Sequence, residues 1–456
     1  MKALRRGALG LLFLVVIVLA LLSSHPPALL RVGANYAAKI VCSNVFLAHR
    51  DPKDVLETDV QAPGVGVMKL LHVSLDGASH TVRAGFLGFI GDGLAVYRPG
   101  AGCAALPDGK LPLQSLGVIP SANAEAESTA PPGGAADYFD RAVPIPALQA
   151  VVDDDALVGP GIRAALIIDH GRIVAERYAP GFGAETPLLG WSMSKTVTAA
   201  LVGILVKDGK LSLEQSGFWP KGDGRDAIKL TDLMSMSSGL HFNETYGAVS
   251  DVTRMLYLEP DVAGFAHAQP LEHPIGTVWS YSSGTANIVA RIVQDAGGGP
   301  QFVEQRLFQP LGIKGAVMET DEYGTLVGSS YMYATARDWG RFGELLVEDG
   351  MWRGERLLPE GFVAEMARPL AASQGQYGHG FVWLWGSDPS TPGHNPDTAF
   401  GIPADTFYLS GHDGQTVAVV RSRGLVVVRL GLTPSGLAYT PQKLLEAALK
   451  AQPATT

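Results

Sequence analysis

The sequence predicts an α+β protein, of the mixed α/β class, built on one antiparallel five-stranded sheet that is flanked by helices and contains an inserted all-helical region. Two apolar runs of strand length, 164–169 and 172–178, flank a His-Gly pair typical of a two-residue hairpin connection. Three more strand-like runs lie near the C-terminus, at 406–409, 416–421 and 425–430. The interval from about 192 to 366 is mostly helical in pattern. Two early and three late strands would therefore meet in one sheet, with the helical interval inserted between them.

The N-terminus carries an apolar segment preceded by positive charge. Lys2, Arg5 and Arg6 come before an uninterrupted apolar run at 8–22, which is typical of a signal peptide or a membrane anchor. The run is shorter than the roughly 20 residues of a comfortable membrane span, yet residues 23–26 contain no clean small-residue cleavage site. A cleaved signal and a retained anchor both remain open. In either case we expect export, to the periplasm or to the outer side of the cytoplasmic membrane.

The rest of the chain divides into an extension and a main domain. With residues 1–24 as the signal or anchor, we expect residues 25–144 to form an N-terminal extension ahead of a catalytic domain at 145–450. Short apolar runs, several of them bounded by glycine, predict strands in the extension at 67–73, 81–90 and 94–98. Residues 121–134 are small, polar and turn-rich, which is typical of an exposed linker.

Composition narrows the classes of function. The 456 residues are 46% hydrophobic and 17% charged, which is enough apolar material for a large core. The net charge of -9 and the lack of a long basic run argue against nucleic acid as a partner. Cys42 and Cys103 are the only cysteines, and in an oxidising compartment we expect a disulfide between them. Two thiols without a histidine at ligand spacing make no metal site, so we expect neither a structural metal nor a cofactor.

The most informative stretch is Ser192-Met193-Ser194-Lys195. Apolar residues at helical spacing follow it, and an Asp-Gly pair at 208–209 ends the pattern. Because side chains three apart on a helix are neighbours, the Lys195 amine can reach the Ser192 hydroxyl. Burial at the positive end of a helix would lower the pKa of Lys195 and make it a base. The alternative is a helix start in which Ser192 is only a cap and Lys195 is solvated.

Two further motifs follow in a recognisable order. Tyr281-Ser-Ser283 lies in a Trp-Ser-Tyr-Ser-Ser-Gly stretch, and His412-Asp-Gly414 lies at the edge of a late strand. With the Ser192 motif, they make residues 146–449 resemble the serine β-lactamase and penicillin-binding-protein superfamily. The likeness is to its class C-like branch of esterases, D-aminopeptidases and 6-aminohexanoate-dimer hydrolases. The resemblance implies a β-lactamase/transpeptidase-like fold and a serine hydrolase.

The resemblance also implies roles for the motif residues. Ser192 would attack a carbonyl and form an acyl-enzyme, with Lys195 and Tyr281 together as the general base. A neighbouring ammonium would lower the pKa of the Tyr281 phenol, which would then return the proton to the leaving group. The oxyanion would bind to the backbone N–H groups of Ser192 and Gln415.

Departures from the family pattern bear on the substrate. His412 stands where penicillin-recognising relatives usually have lysine, Asp413 where a hydroxyl residue or glycine is common, and Ser283 where β-lactamases have asparagine. The small-molecule substrate is therefore expected to be an ester or a linear amide and not a β-lactam. The candidate substrate-binding residues are Ser283, His412, Asp413, Gly414, Trp191 and, from a loop at 242–249, Tyr246. The alternatives are a cell-wall D,D-peptidase, a binding domain of this fold that does not turn over, and a surface scaffold.

Overall fold

The computed structural model describes residues 2–62, 64–110, 139, 141–386, 394–434, 437 and 439–453. The turn-rich segment at 121–134 lies outside these residues. The N-terminal part contains α1 (Lys2–Ser24), α2 (Ala28–Phe46), α3 (Pro52–Val55), β1 (Leu71–Asp76), β2 (Thr81–Phe86), β3 (Ile90–Arg98) and β4 (Gly102–Ala105).

The second part of the chain begins after the linker region. Its elements, in chain order, are α4 (Pro146–Asp153), α5 (Asp155–Val158), β5 (Ile162–Asp169), β6 (Arg172–Tyr178), β7 (Leu188–Leu189), α6 (Met193–Lys207), α7 (Leu230–Met234), α8 (Asp251–Tyr257), α9 (Val262–His267), α10 (Ser283–Gly297), α11 (Gln309–Leu311), β8 (Val317–Met318), β9 (Met332–Ala334), α12 (Ala336–Val347), β10 (Met351–Trp352), β11 (Glu355–Arg356), α13 (Phe362–Met366), β12 (Thr406–Gly411), β13 (Gln415–Val420), β14 (Leu425–Gly431) and α14 (Pro441–Ala451).

The main sheet has five antiparallel strands in the order β12-β13-β14-β5-β6, which confirms the predicted fold class. The last strand, β14, pairs with the first, β5, with Val427 opposite Ile167. Both faces of the sheet are apolar. Alternate residues of β5 point to opposite sides, so Ile167 faces α4 and α14, whereas Leu166 and Ile168 face the larger core. Helices α6 and α12 lie on that second face.

The interval at 192–366 is not all-helical, and this part of the prediction is wrong. Within the interval β8 pairs with β9 and β10 pairs with β11, and β9 also pairs with β7, which lies just ahead of the interval. Each of these strands has only two or three residues. Such strands are too short to show a period of two in the sequence, so pattern analysis cannot detect them. They gain their stability from the tertiary packing around them.

The N-terminal extension is a four-stranded antiparallel sheet, β1-β2-β3-β4, with α2 packed across it. The predicted strands are present, although Gly66–Leu70 forms a 3-10 turn and β1 begins only at Leu71. Helix α2 was not expected from the sequence. A disulfide joins Cys42 of α2 to Cys103 of β4. The apolar residues between α2 and this sheet are continuous with the core of the main domain.

Buried charged groups attach this extension to the main domain. Lys39 of α2 forms an ion pair with Glu319, whose carboxylate also accepts hydrogen bonds from the Ser43 hydroxyl, at 2.9 Å, and the Cys103 N–H, at 2.6 Å. Elsewhere Arg163 of β5 donates to the Asp59 carboxylate at 3.0 Å. Lys39 and Glu319 are almost fully buried. Because a buried charge without its partner is costly, the two parts depend on each other for stability.

Helix α1 differs from the other helices in having an exposed apolar surface. The stretch Leu4–Ser24 has a mean hydropathy of 2.6 and is long and apolar enough to cross a membrane. A signal sequence has the same length and composition. Among its described side chains, Leu19 and Leu22 near its C-terminal end pack against the core.

Candidate active site

Ser192 lies at the N-terminal end of α6, between the main sheet and the helical region. Trp191 before it has a φ of 48°, a left-handed conformation that is rare for a bulky residue. The neighbouring Ser194 hydroxyl donates to the Trp191 carbonyl at 2.7 Å and accepts the Met332 N–H at 3.1 Å. These bonds hold the turn in its strained form, with the partly exposed Ser192 at its tip. Because Ser192 precedes the first helical turn, its N–H has no carbonyl within the helix to bond.

Lys195 is 1% exposed and its amine is surrounded by oxygen atoms. Nζ lies 2.9 Å from the Ser192 Oγ, 3.0 Å from the Ser283 Oγ and 2.9 Å from the Ser329 carbonyl oxygen. The structure thus excludes the alternative in which Lys195 is solvated. A neutral amine has two hydrogens, which can bond the Ser283 and Ser329 oxygens. Its one lone pair can accept the proton of the Ser192 hydroxyl.

Burial changes the acidity of both groups beside Ser192. It lowers the pKa of Lys195 to about 8, although the nearby Glu244 carboxylate acts in the opposite direction. The expected lowering of the Tyr281 pKa is wrong. Burial and Glu244 together raise the pKa of this phenol, and its hydrogen bond with Ser192 offsets them only in part. At neutral pH Tyr281 therefore keeps its proton, while Lys195 lies close to its titration point.

Glu244 is a residue that the sequence analysis missed. Its carboxylate accepts the Ser283 N–H at 2.7 Å and the Ser283 hydroxyl at 2.5 Å. Because the single hydroxyl hydrogen of Ser283 points to Glu244, the oxygen lone pairs are left for Lys195. Ser283, predicted to bind substrate, is buried and engaged on both sides. A glutamate in a polar loop carries no sequence signal for such a role, since it has the pattern of an ordinary surface residue.

The third motif forms a tight turn between β12 and β13. Gly411 at the end of β12 lies so close to the Gly190 carbonyl that an added Cβ would stand 2.2 Å from its oxygen. This approach places the turn His412–Gly414 beside the start of α6. Asp413 and Gly414 both have positive φ, 58° and 80°. Gly414 also presents its carbonyl to Arg429 at 3.0 Å, so the backbone itself requires glycine there.

The side chains of this turn point in different directions. His412 is about half exposed, whereas Asp413 is mostly buried, with 3.5 Å between the His412 Nε2 and the Asp413 Oδ1. Burial raises the pKa of the Asp413 carboxyl, and His412 and Arg163 counteract it. The Gln415 side chain turns inward and bonds to the Gly431 backbone at 2.8 Å. The roles of these residues toward substrate stay predictions.

Aromatic rings border the site on two sides. The His412 ring stacks on Tyr246 at 5.1 Å and meets the edge of Trp191 at 5.8 Å. On the other side Tyr281 contacts Trp383 and Tyr377, with ring centroids 5.4 and 6.0 Å apart. The structure therefore brings together the predicted residues Trp191, Tyr246, Tyr281 and His412 around Ser192. Flat apolar walls of this kind suit an apolar acyl or leaving group.

The N-terminal extension meets the main domain beside Trp191 and Gln415. A cavity of about 20 Å³, room for roughly one water molecule, lies between α2 and the main domain. Tyr36, Asp59 and Arg163 line it together with Trp191 and Gln415. Tyr36 also meets the ring of Tyr257 edge-on at 5.7 Å. The sequence offered no sign that residues this close to the N-terminus reach the site.

The arrangement supplies a hydroxyl, an amine with a pKa near neutrality and a protonated phenol in mutual contact. These groups can move a proton between a nucleophile and a leaving group. Within the described ranges, no group of three or more His, Cys, Asp or Glu side chains is placed to hold a metal ion.

Comparison with known proteins gives a consistent result. Residues 155–449 match the family model described as Beta-lactamase. A 6-aminohexanoate-dimer hydrolase of Paenarthrobacter ureafaciens is 25% identical over 219 residues, which cover 44% of this chain and 55% of that protein. The match thus spans about half the length of this curated relative.

Solved structures share the fold. A penicillin-binding protein homolog from Caulobacter crescentus is 18% identical, with a TM-score of 0.50 over 70% of this chain and 99% of that chain. EstCE1, described as a hydrolase with promiscuous acyltransferase activity, is 19% identical, with a TM-score of 0.50 over 67% of this chain and 97% of that chain. At these identities the likeness concerns the fold alone. The family match covers more than half of the chain and includes each of the three motifs, and the chain therefore belongs to the beta-lactamase family.

Proposed function

We propose that this protein is an exported serine hydrolase that cleaves an ester or a linear amide through an acyl-enzyme on Ser192. The observation that carries the proposal is the contact of the buried Lys195 amine with the Ser192 hydroxyl, at 2.9 Å. A lysine with a pKa of about 8 has a substantial neutral fraction at mildly alkaline pH. Such an amine can take the proton of the adjacent hydroxyl and so activate it for attack on a carbonyl.

Acylation would begin with proton transfer from Ser192 to Lys195. The Ser192 oxygen then bonds to the carbonyl carbon, and the carbonyl oxygen takes up the negative charge. The proposed donors to this oxyanion are the N–H groups of Ser192 and Gln415, at the start of α6 and of β13. The position of Ser192 at the positive end of α6 adds to the stabilisation.

Tyr281 would act as the general acid. Its phenol keeps its proton at neutral pH because its pKa is raised, and its ring lies beside the base, with the Lys195 Nζ 4.9 Å from the ring centroid. When the tetrahedral intermediate collapses, the leaving alkoxide or amine takes the Tyr281 proton, and the Lys195 ammonium restores it. Water then attacks the acyl-enzyme, and the same three groups pass the proton in the opposite direction. This division of roles replaces the shared base that the sequence suggested.

Substrate preference follows from the charges beside the site. A D,D-peptidase or β-lactamase needs a fixed cation that binds the substrate carboxylate. At the corresponding position this chain has His412, which is stacked on Tyr246. The Asp413 carboxylate lies next to His412. A neighbouring anion would repel such a substrate. Aromatic walls on both sides favour an uncharged ester or amide. The relationship to a 6-aminohexanoate-dimer hydrolase supports linear amides as one class to test.

The test is active-site labelling of the full chain in detergent. We expect a fluorophosphonate probe to add once to the native protein and not to Ser192→Ala, and a p-nitrophenyl ester to be hydrolysed only by the native protein. A panel with linear amides, D-Ala-D-Ala peptides and a β-lactam separates the substrate classes. An adduct without turnover would identify a binding domain, and no adduct at Ser192 would refute the mechanism.

A further inference from the structure

Half of the strongly exposed large apolar side chains outside α1 belong to the stretch 29–89, as far as the described residues show. Five of them are Val65, Val67, Leu70, Leu87 and Phe89, which are between 42% and 72% exposed. An apolar surface of this kind in an exported protein requires an explanation, because a single exposed leucine is ordinary but a cluster is not.

Backbone hydrogen bonds bring together the two segments that carry these five residues. The Leu87 N–H donates to the Leu70 carbonyl at 2.7 Å, which joins the turn between β2 and β3 to the segment before β1. Within that segment the Met68 N–H donates to the Val65 carbonyl at 2.8 Å. The five residues therefore lie at one end of the extension. We call them the basal patch.

Helix α1 ends at this patch. The Ser23 hydroxyl, one residue from the end of the helix, donates to the Phe89 carbonyl at 3.3 Å. Leu29, at the start of α2, is 52% exposed at the same end. The stretch Leu4–Ser24 would be about 31 Å long at 1.5 Å per residue, which matches a hydrocarbon core of roughly 30 Å. A bilayer that α1 spans would have its surface at the level of the basal patch.

We infer that α1 is a retained membrane anchor and that the basal patch inserts into the outer leaflet beside it. The occupant of the patch is lipid, at the boundary of headgroups and acyl chains, where apolar side chains of surface-bound segments are buried about 5–10 Å deep. Lys2, Arg5 and Arg6, at the other end of α1, would remain on the inner side. The contact would hold the extension, and with it the site, in a fixed orientation to the membrane.

The test measures the depth of single labels in the full chain, reconstituted into phosphatidylcholine and phosphatidylglycerol vesicles. Because the two native cysteines form a disulfide, Phe89→Cys or Leu87→Cys provides a unique site for an NBD label. The matched control is Tyr323→Cys, which is 69% exposed. Tyr323 lies three residues after Thr320, whose carbonyl accepts a hydrogen bond from Arg98 at 2.8 Å. Arg98 is at the other end of β3. The two ends of this strand are separated by about 26 Å.

We expect spin-labelled lipid to reduce NBD emission at least twofold at positions 89 and 87, and to leave position 323 nearly unchanged. A thermal melt like that of the native protein shows that each variant is folded. Equal, weak quenching at all three positions would overturn the inference. An NBD label at position 89 that is shielded from water but not quenched by lipid would also overturn it. That result would indicate a second copy of the chain on the patch. An intact mass showing that membrane-extracted protein lacks residues 1–24 would also contradict it.

Discussion

The substitution Glu244→Gln tests whether the loop carboxylate sets the acidity of Lys195, the proposed base. Glu244 contacts Ser283, and Ser283 contacts Lys195. In the native protein the negative charge favours the protonated form of Lys195. Removing this charge while keeping the shape of the side chain should lower the pKa of Lys195 below its native value of about 8. A larger fraction of the base is then neutral at acidic pH.

The structure sets the size of the effect. Ser283 lies 2.5 Å from a Glu244 oxygen and 3.0 Å from Nζ of Lys195, so this oxygen and the amine are at most about 5.5 Å apart. With an effective dielectric constant of about 20, two unit charges at this separation interact by about 3 kcal/mol, or roughly two pH units. Because Glu244 is only half-buried, solvent screening reduces the expected shift to between about one and two units.

The assay is kcat/KM for a p-nitrophenyl ester between pH 5.5 and 9. In the native protein, activity should rise through a midpoint near pH 8, where Lys195 loses its proton. In Glu244→Gln the midpoint should move to between about pH 6 and 7. Relative to its own plateau, the variant should then be about 10- to 50-fold faster than the native protein at pH 6. Glu355→Gln, at an exposed position, should leave the midpoint unchanged. A midpoint that stays or rises in Glu244→Gln would refute the reasoning.

Three further predictions follow from buried groups. Tyr281→Phe should reduce kcat/KM for an alkyl amide by a factor of about 10² to 10⁴. The loss should be much smaller for a p-nitrophenyl ester, because its leaving group needs no proton. Equal losses for both substrates would exclude Tyr281 as the acid. Glu319→Gln should lower the free energy of unfolding by about 3 to 5 kcal/mol, because it leaves Lys39 buried without a counter-charge, and denaturant titration at pH 7 measures this. Burial raises the pKa of Glu344 to about 8, so its carboxyl binds a proton in the folded state at pH values where the unfolded chain has released it. Its contribution to stability is complete below the unfolded pKa of about 4.5 and is lost as the pH rises to about 8. Glu344→Gln should flatten that decline in melting temperature, and an unchanged slope would contradict the assignment.

Much of the fold could be predicted because its sheet strands are long and regular. The hairpin of β5 and β6 and the three late strands have clear apolar runs with turn residues between them. Pairing of β14 with β5 follows from the need to cover an apolar edge. Helix α2 lacks the usual pattern of a surface helix, because its polar residues Asn35, Lys39 and Ser43 are buried together with its apolar ones.

The candidate site was predicted in part. Ser192 and Lys195 share one helix face, so their contact depends only on local geometry. The raised pKa of Tyr281 depends on neighbours that come from distant segments, Glu244 among them, and here the sequence suggested the wrong direction.

The sequence by itself determined the order of the motifs, the five strands of the main sheet and the apolar N-terminal helix. Each of these depends on residues close together in the chain. Only the tertiary structure decided which groups from distant segments meet: Glu244 with Ser283, Lys39 with Glu319, and Tyr36 with Trp191 and Gln415 around one cavity. The physical reason is that charge and acidity depend on burial and on the separation between groups, and both are set by packing between segments far apart in the sequence.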